Sequence, residues 1–155
     1  MMALEIERKF LLKNDNWRTM AKGKRYKQGY IKNDTSSVVR VRIAGRRAFL
    51  TIKAKVNATT RLEYEYRIPR KDAEEMLNSL CKTPLIDKTR FEIKIDNLIW
   101  EIDEFYGDND GLIIAEVELK SEDQKITLPE WVGEEVTDDP RYYNANLVKH
   151  PFKDW

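Results

Sequence analysis

Apolar and charged residues alternate with period two along most of this chain, which predicts strands far more often than helices. In residues 5–11, with Leu4 just before them, Leu4, Ile6 and Phe10 share one parity and Glu5, Glu7 and Lys9 the other. An extended chain therefore sends two carboxylates and an ammonium to a single face. Residues 25–32 follow as a strand. Residues 37–44 then set Val39, Val41 and Ile43 against Arg40 and Arg42, and residues 48–55 set Leu50 and Ile52 against Thr51 and Lys53. Ala44-Gly45-Arg46 joins these two as a tight hairpin. In residues 61–69, Leu62, Tyr64 and Tyr66 interleave with Arg61, Glu63, Glu65 and Arg67. Residues 86–95 and 98–105 form a hairpin about Asp96-Asn97, the first with Lys88, Arg90, Glu92 and Lys94 on one face, the second with Glu101 and Asp103. In residues 112–120, Glu116 and Glu118 oppose Ala115, Val117 and Leu119. The pattern yields about eight strands.

Helical spacing is rarer. Ala73, Met76, Leu77 and Leu80 predict a helix over residues 71–81, bracketed by Pro69 and Pro84. Residues 14–23 have room for one or two helical turns, with Asn14 or Asp15 as cap and Trp17 and Met20 facing inward. Ser121-x-x-Gln124 has the form of a capping box for a short helix. Residues 138–149 predict a last helix, with Pro140 near its start and Tyr143, Leu147 and Val148 on one side. The 155 residues suit one compact domain spanning 1–155, with no repeat, low-complexity segment or linker to divide it.

Net charge adds little. Lys and Arg number 28 against 27 for Asp and Glu, a formal +1, which lacks the basic excess of a nucleic-acid or membrane-surface binder. Cys81, the single cysteine, fits a reducing compartment, and no apolar run approaches a membrane span or a signal peptide. A soluble cytoplasmic protein is the expectation.

The placement of the charges says more than their sum. A one-sided sheet with its charged face in water is the ordinary reading of such strands. Here, however, charge is sorted by strand: Arg40 and Arg42 are basic, Lys88 and Arg90 basic, Glu101 and Asp103 acidic, Glu116 and Glu118 acidic. Mere solubility would mix the signs, and long all-β runs tend to close on themselves because closure removes exposed edges. With the charged parity inside, a dry lumen would cost several kcal/mol per unpaired ion. It must therefore be wet or filled. Carboxylates suit hard divalent cations, and Arg and Lys suit phosphate. A polyphosphate carrying Mg²⁺ or Mn²⁺ meets both demands.

Glu5-Ile6-Glu7-Arg8-Lys9, Arg40-Val41-Arg42, Thr51-Ile52-Lys53, Arg61-x-Glu63-x-Glu65, Lys88-Thr89-Arg90, Glu101-Ile102-Asp103 and Glu116-Val117-Glu118, taken in this order, resemble the CYTH superfamily, the triphosphate tunnel metalloenzymes. The segment from Gly133 to Tyr142 is similar to the C-terminal region of its small single-domain bacterial members, where a helix plugs one end of the tunnel. The resemblance implies an α+β fold, mainly antiparallel β, with an eight-stranded closed β-barrel, peripheral helices and a C-terminal plug helix. It implies Glu5, Glu7, Glu116 and Glu118 as metal ligands, with Glu63, Glu65 and Asp103 at a second ion or its waters. Lys9, Arg40, Arg42, Lys53, Arg61, Lys88 and Arg90 would cradle phosphates, and Glu5, Glu7, Lys9, Arg42 and Lys88 would form the catalytic centre.

The implied chemistry is in-line attack of water on a terminal phosphorus, with a divalent metal lowering the water's pKa and the basic side chains stabilising the transition state. The compact length and the opening EIERKFL are most similar to the bacterial inorganic triphosphatase branch, which splits tripolyphosphate into pyrophosphate and phosphate. Class IV adenylate cyclase, thiamine triphosphatase, nucleoside or RNA triphosphatase and a noncatalytic polyphosphate or nucleotide sensor are the alternatives on the same scaffold. The partner implied is a small-molecule triphosphate, with RNA 5′ ends the one nucleic-acid exception and a homodimer allowed.

Other residues read more plainly. His150 reads as surface, Cys81 as packing, and Trp17, Trp100, Trp131 and Trp155 as outer-core or interface aromatics. Tyr30 shares a parity with Gln28, which fits tunnel lining and core packing alike. Glu101 fits a structural place or one behind the metal ligands, and Arg141 and Lys149 fit either substrate contact or helix capping.

Overall fold

A computed structural model describes residues 4–34, 36–57 and 59–155. It contains β1 (Leu4–Leu12), β2 (Gly23–Asn33), β3 (Ser37–Ala44), β4 (Arg47–Lys55), β5 (Thr60–Ile68), β6 (Ile86–Ile95), β7 (Leu98–Phe105), β8 (Ile113–Glu118) and β9 (Val132–Glu135). The helices are α1 (Arg70–Ser79) and α2 (Asn144–Lys149), with 3-10 turns at Asn16–Thr19, Gly107–Asn109, Pro140–Tyr142 and Phe152–Asp154. No helix among the described residues is long and apolar enough to cross a membrane.

The strands pair in the order β5-β4-β3-β2-β6-β7-β8-β1, and β5 returns to β1 through Leu4↔Leu62, Glu5↔Arg61 and Ile6↔Thr60, so an antiparallel barrel of eight strands closes. β1 carries the seam. The Glu7 N–H still donates toward β5, at 3.0 Å from the Thr59 carbonyl; from the Lys9 carbonyl onward the same edge belongs to β9 and its neighbour Val136. The short β9 has no alternation that would announce it. Gly133 lets it lie close, since a Cβ there would meet the Leu11 carbonyl oxygen at 3.1 Å. The β6–β7 turn needs left-handed backbone at both central residues, Asp96 (φ 50) and Asn97 (φ 66), the residue types that tolerate it best after glycine.

Several local expectations change. Ser121 to Gln124 forms a turn, because the Gln124 side chain accepts from the Lys120 N–H at 2.7 Å instead of closing a capping box. The last predicted helix is split. Tyr143 is extended, with its hydroxyl donating to the Thr137 carbonyl at 3.1 Å, and α2 begins only at Asn144. Asn16–Thr19 is too short to bury two side chains, so Trp17 is enclosed while Met20 is 51% exposed. Leu80 lies just past the end of α1 and is exposed, whereas Ala73 and Leu77 are buried.

The outward parity is covered in patches. Ala73 and Leu77 of α1 lie on Val41, Ile43 and Ala48, and Trp17 and Trp131 lie on Phe10, Trp100, Ile102 and Val117. On β4 and β5, Ile52, Tyr64 and Tyr66 are exposed. The C-terminal elements do not join this outer cover. Tyr142, Leu147 and Val148 enter one end of the barrel and pack on Ile86, Phe105 and Ile114. At that end the inward parity itself turns apolar: Leu11 follows Lys9, Val38 precedes Arg40, Ile86 precedes Lys88, Phe105 follows Asp103 and Ile114 precedes Glu116. The plug is thus a small apolar core, and the charged lumen begins where it stops.

Candidate active site

The charged parity encloses a cavity of about 540 Å³ inside the barrel. β1 lines it with Glu5, Glu7 and Lys9, β3 with Arg40 and Arg42, β4 with Lys53, and β5 with Arg61, Glu63 and Glu65. β6 adds Lys88 and Arg90, β7 adds Glu101, and β8 adds Glu116 and Glu118. Glu65 and Glu118 lie at its more exposed margin. Asp103 points inward too, but it does not line the cavity. It is 1% exposed, lying 2.7 Å from the Lys88 ammonium and 2.8 Å from Arg90 Nε.

Tyr26, Tyr143 and Asn144 also line the cavity, and the sequence reading passed over all three as site residues. Tyr26 separates two like charges, with the Arg42 and Arg90 guanidinium carbons 5.0 and 4.9 Å from its ring. Its parity with Gln28 and Tyr30 was the available signal. Tyr143 lies against the Arg61 guanidinium, 5.1 Å from ring centre to carbon, and no sequence signal distinguishes it from a packing aromatic. Tyr30 and Gln28 are both buried and inward. Lys149 reaches the cavity margin, whereas Arg141 pairs with Asp139 at 2.7 Å and stacks on Trp155; His150 is exposed.

The two kinds of charge are unequally compensated. Lys9 bonds Glu116, Lys53 lies 2.9 Å from Glu5, and Arg61 lies 3.0 Å from Glu7. Arg42 makes no ion pair among the described residues; its Nε donates to Gln28 Oε1 at 2.8 Å. Burial, with Arg40 and Arg90 close by, pushes Arg42 down to about 10. Arg40 Nε is buried without a hydrogen-bond partner, and its terminal nitrogen is 3.6 Å from Glu65. Lys88 is pushed down to about 7 by burial; Asp103 opposes the shift, while Arg90 and Arg42 add to it. This part of the wall has positive charge to spare.

Across the lumen the excess is negative. Burial raises the Glu63 carboxyl, and its hydrogen bond with Glu5 adds to that, taking it up to about 8. Burial also opposes ionisation of Glu5, but Lys53 and the hydrogen bond from Glu63 win and hold it down to about 2. Glu118 is raised by burial and by the charges of Glu5 and Glu7. Glu7 is under the same burial, yet Lys9, Lys53 and Arg61 keep it below the usual carboxylate range. Glu5 and Glu63 side by side, with Glu118 raised beside them, are an all-oxygen donor set whose repulsion a divalent cation would relieve, so these residues fit Mg²⁺ or Mn²⁺ chemically. No acidic cluster among the described residues already forms a metal cage, and Glu5 and Glu7 are each held by a cation, Lys53 and Arg61.

A closed antiparallel barrel whose inward face carries both basic and acidic side chains around one cavity is a charged tunnel. The CYTH domain family model matches residues 3–148, and the chain belongs to that family. It is 47% identical over 154 residues to an inorganic triphosphatase of Acetivibrio thermocellus, covering 99% of each chain. An inorganic triphosphatase of Nitrosomonas europaea is 38% identical over 152 residues, 93% of this chain and 96% of that one. Among solved structures, a crystal structure of an inorganic triphosphatase superposes with a TM-score of 0.65 at 34% identity, covering 93% of both chains.

Proposed function

We propose that this protein is a divalent-cation-dependent triphosphatase that hydrolyses inorganic tripolyphosphate to pyrophosphate and phosphate. One observation carries the reading: Arg42, with no ion pair among the described residues, and Arg40, whose Nε has no hydrogen-bond partner, share one cavity with the raised carboxyls of Glu63 and Glu118. A bare anion would satisfy only the first set and a bare cation only the second. The similarity to inorganic triphosphatases over nearly the whole chain supports the choice of substrate.

Arg40, Arg42 and Arg90 bind the phosphate oxygens in this reading, with Lys9, Lys53 and Arg61 turning from their carboxylate partners to the incoming anion. Glu5, Glu7, Glu63, Glu116 and Glu118 hold Mg²⁺ or Mn²⁺, with Glu65 at the margin. The cation supplies Lewis-acid polarisation of the phosphoryl oxygens when bound. Asp103 anchors Lys88 and Arg90 from behind. Lys88, hydrogen-bonded to Asp103 and Asn144, joins the arginines as a charged donor to the phosphate oxygens. The apolar plug closes one end, so the terminal phosphate stops beside Lys88.

The test is phosphate release from tripolyphosphate, ATP, thiamine triphosphate and pyrophosphate, each with Mg²⁺, Mn²⁺ and EDTA. Tripolyphosphate should be turned over fastest, and EDTA should abolish the reaction. Faster turnover of ATP would make it a nucleotidase, cyclic AMP as product a cyclase, and tight binding without release a sensor.

A further inference from the structure

Gln28 and Asn144 are neutral amides placed among cations. Gln28 stands inward on β2 with no exposed surface. Its Oε1 accepts from Arg42 Nε at 2.8 Å, while its Nε2 donates to the Tyr30 hydroxyl at 3.0 Å and to Asn144 Oδ1 at 3.3 Å. Asn144, the first residue of α2, offers that same Oδ1 to the Lys88 ammonium at 2.8 Å. The orientations of both amides follow from their partners, since guanidinium and ammonium groups only donate and must meet oxygen. A line of hydrogen bonds therefore runs from Arg42 through Gln28 and Asn144 to Lys88, then through Asp103 to Arg90.

For three other cations of the lumen the partner is a carboxylate: Glu116 for Lys9, Glu5 for Lys53 and Glu7 for Arg61. A glutamate in place of Gln28 would reach Arg42 with the same length of side chain and bond it more strongly. It would also cancel the charge and compete with the guest's oxygens for the same donors. An amide oxygen fixes the direction of the guanidinium and leaves its unit charge unspent. Asn144 gives Lys88 a second oxygen without adding a second negative charge beside Asp103, which Lys88 already shares with Arg90.

We propose that Gln28 and Asn144 are positioning residues that aim Arg42 and Lys88 at the phosphate chain without neutralising them, so that their neutrality sets the affinity for triphosphate. The inference rests on the triphosphatase reading and deepens it. Gln28 acts through Arg42, and Asn144 acts through Lys88 from the cavity margin.

Three variants test it: Gln28→Glu, Gln28→Met and Asn144→Asp. Steady-state hydrolysis of tripolyphosphate with Mg²⁺ is measured for each, with melting of the ligand-free protein alongside. Gln28→Glu and Asn144→Asp should raise KM about ten-fold or more, the scale of one charge-assisted hydrogen bond. Both should melt at or above the wild-type temperature, because each new carboxylate meets a buried cation. Gln28→Met keeps the size but loses the hydrogen bonds, and should raise KM less than Gln28→Glu does. A merely structural role predicts the reverse order, with Gln28→Met as bad as or worse than Gln28→Glu and the acidic variants melting lower or failing to fold. That result, or KM values for both acidic variants within about two-fold of wild type, overturns the inference. Failure of the wild-type protein to bind or split tripolyphosphate would instead overturn the functional reading beneath it.

Discussion

Lys88 Nζ lies 2.7 Å from Asp103 Oδ2, and both side chains are 1% exposed. The same carboxylate accepts from Arg90 at 2.8 and 2.9 Å, its opposite number in the β6–β7 register. One buried acid therefore anchors two members of the basic wall. Parity groups Asp103 with the acids that face the cavity, whereas packing puts it underneath the cations. It stays ionised against burial because Arg90 and Lys88 both favour its charge.

Removing that anchor should destabilise the free protein. Asp103→Asn leaves Lys88 and Arg90 buried with less compensation, and breaking a buried pair from one side costs about 3–5 kcal/mol. Tripolyphosphate should then recover more stability in the variant than in the wild type, since it supplies the missing negative charge. Urea unfolding with and without tripolyphosphate, in EDTA, checks this; equal ligand shifts in both proteins would contradict it.

Glu63 should make the metal-free protein sensitive to alkali. Its folded-state pKa, raised to about 8, lies above the ordinary value of 4.5, so its contribution to stability is complete below about 4.5 and is lost as pH rises through about 8. Glu5 runs the other way: held down to about 2, it adds stability above 4.5 that disappears as pH falls through 2. Melting temperatures from pH 5 to 9 in EDTA should fall less steeply for Glu63→Gln than for wild type. Parallel profiles would mean that Glu63 ionises normally.

The two walls should separate under a metal titration. Glu7→Gln keeps the shape of the side chain but weakens a proposed cation ligand, so its activity should drop sharply and recover in part at high Mg²⁺. Arg42→Ala should raise KM for tripolyphosphate at every metal concentration. Identical responses of the two variants would dissolve the division of labour.

Metal and anion should stabilise the fold cooperatively. Tripolyphosphate neutralises the basic wall and the cation the acidic one, so each removes repulsion that the other leaves. A ligand at about 100 times its dissociation constant adds about 2.7 kcal/mol. With Ca²⁺ chosen to slow turnover, the shift in melting temperature for both together should exceed the sum of the separate shifts. A merely additive shift would show two independent sites.

What the lumen holds was legible from the chain alone. A pleated strand sends every second side chain to the same face, so the alternation in residues 5–9, 40–42, 61–65 and 116–118 already assigned Glu5, Lys9, Arg42, Glu63 and Glu118 to one surface, and the sorting of signs argued that the surface is enclosed. Contacts between distant segments carry no such period. β9 joins β1 through Phe10↔Glu135, and Gln28 meets Asn144 across 116 positions, on pairings that neither segment encodes locally. Glu5 and Glu63 are the same residue type on the same parity, yet one lies 2.9 Å from Lys53 and the other 3.8 Å, and their pKa values are shifted in opposite directions. Only the folded barrel decides that, because Coulomb energy in a buried site depends on distances of a few ångströms that the order of residues does not contain.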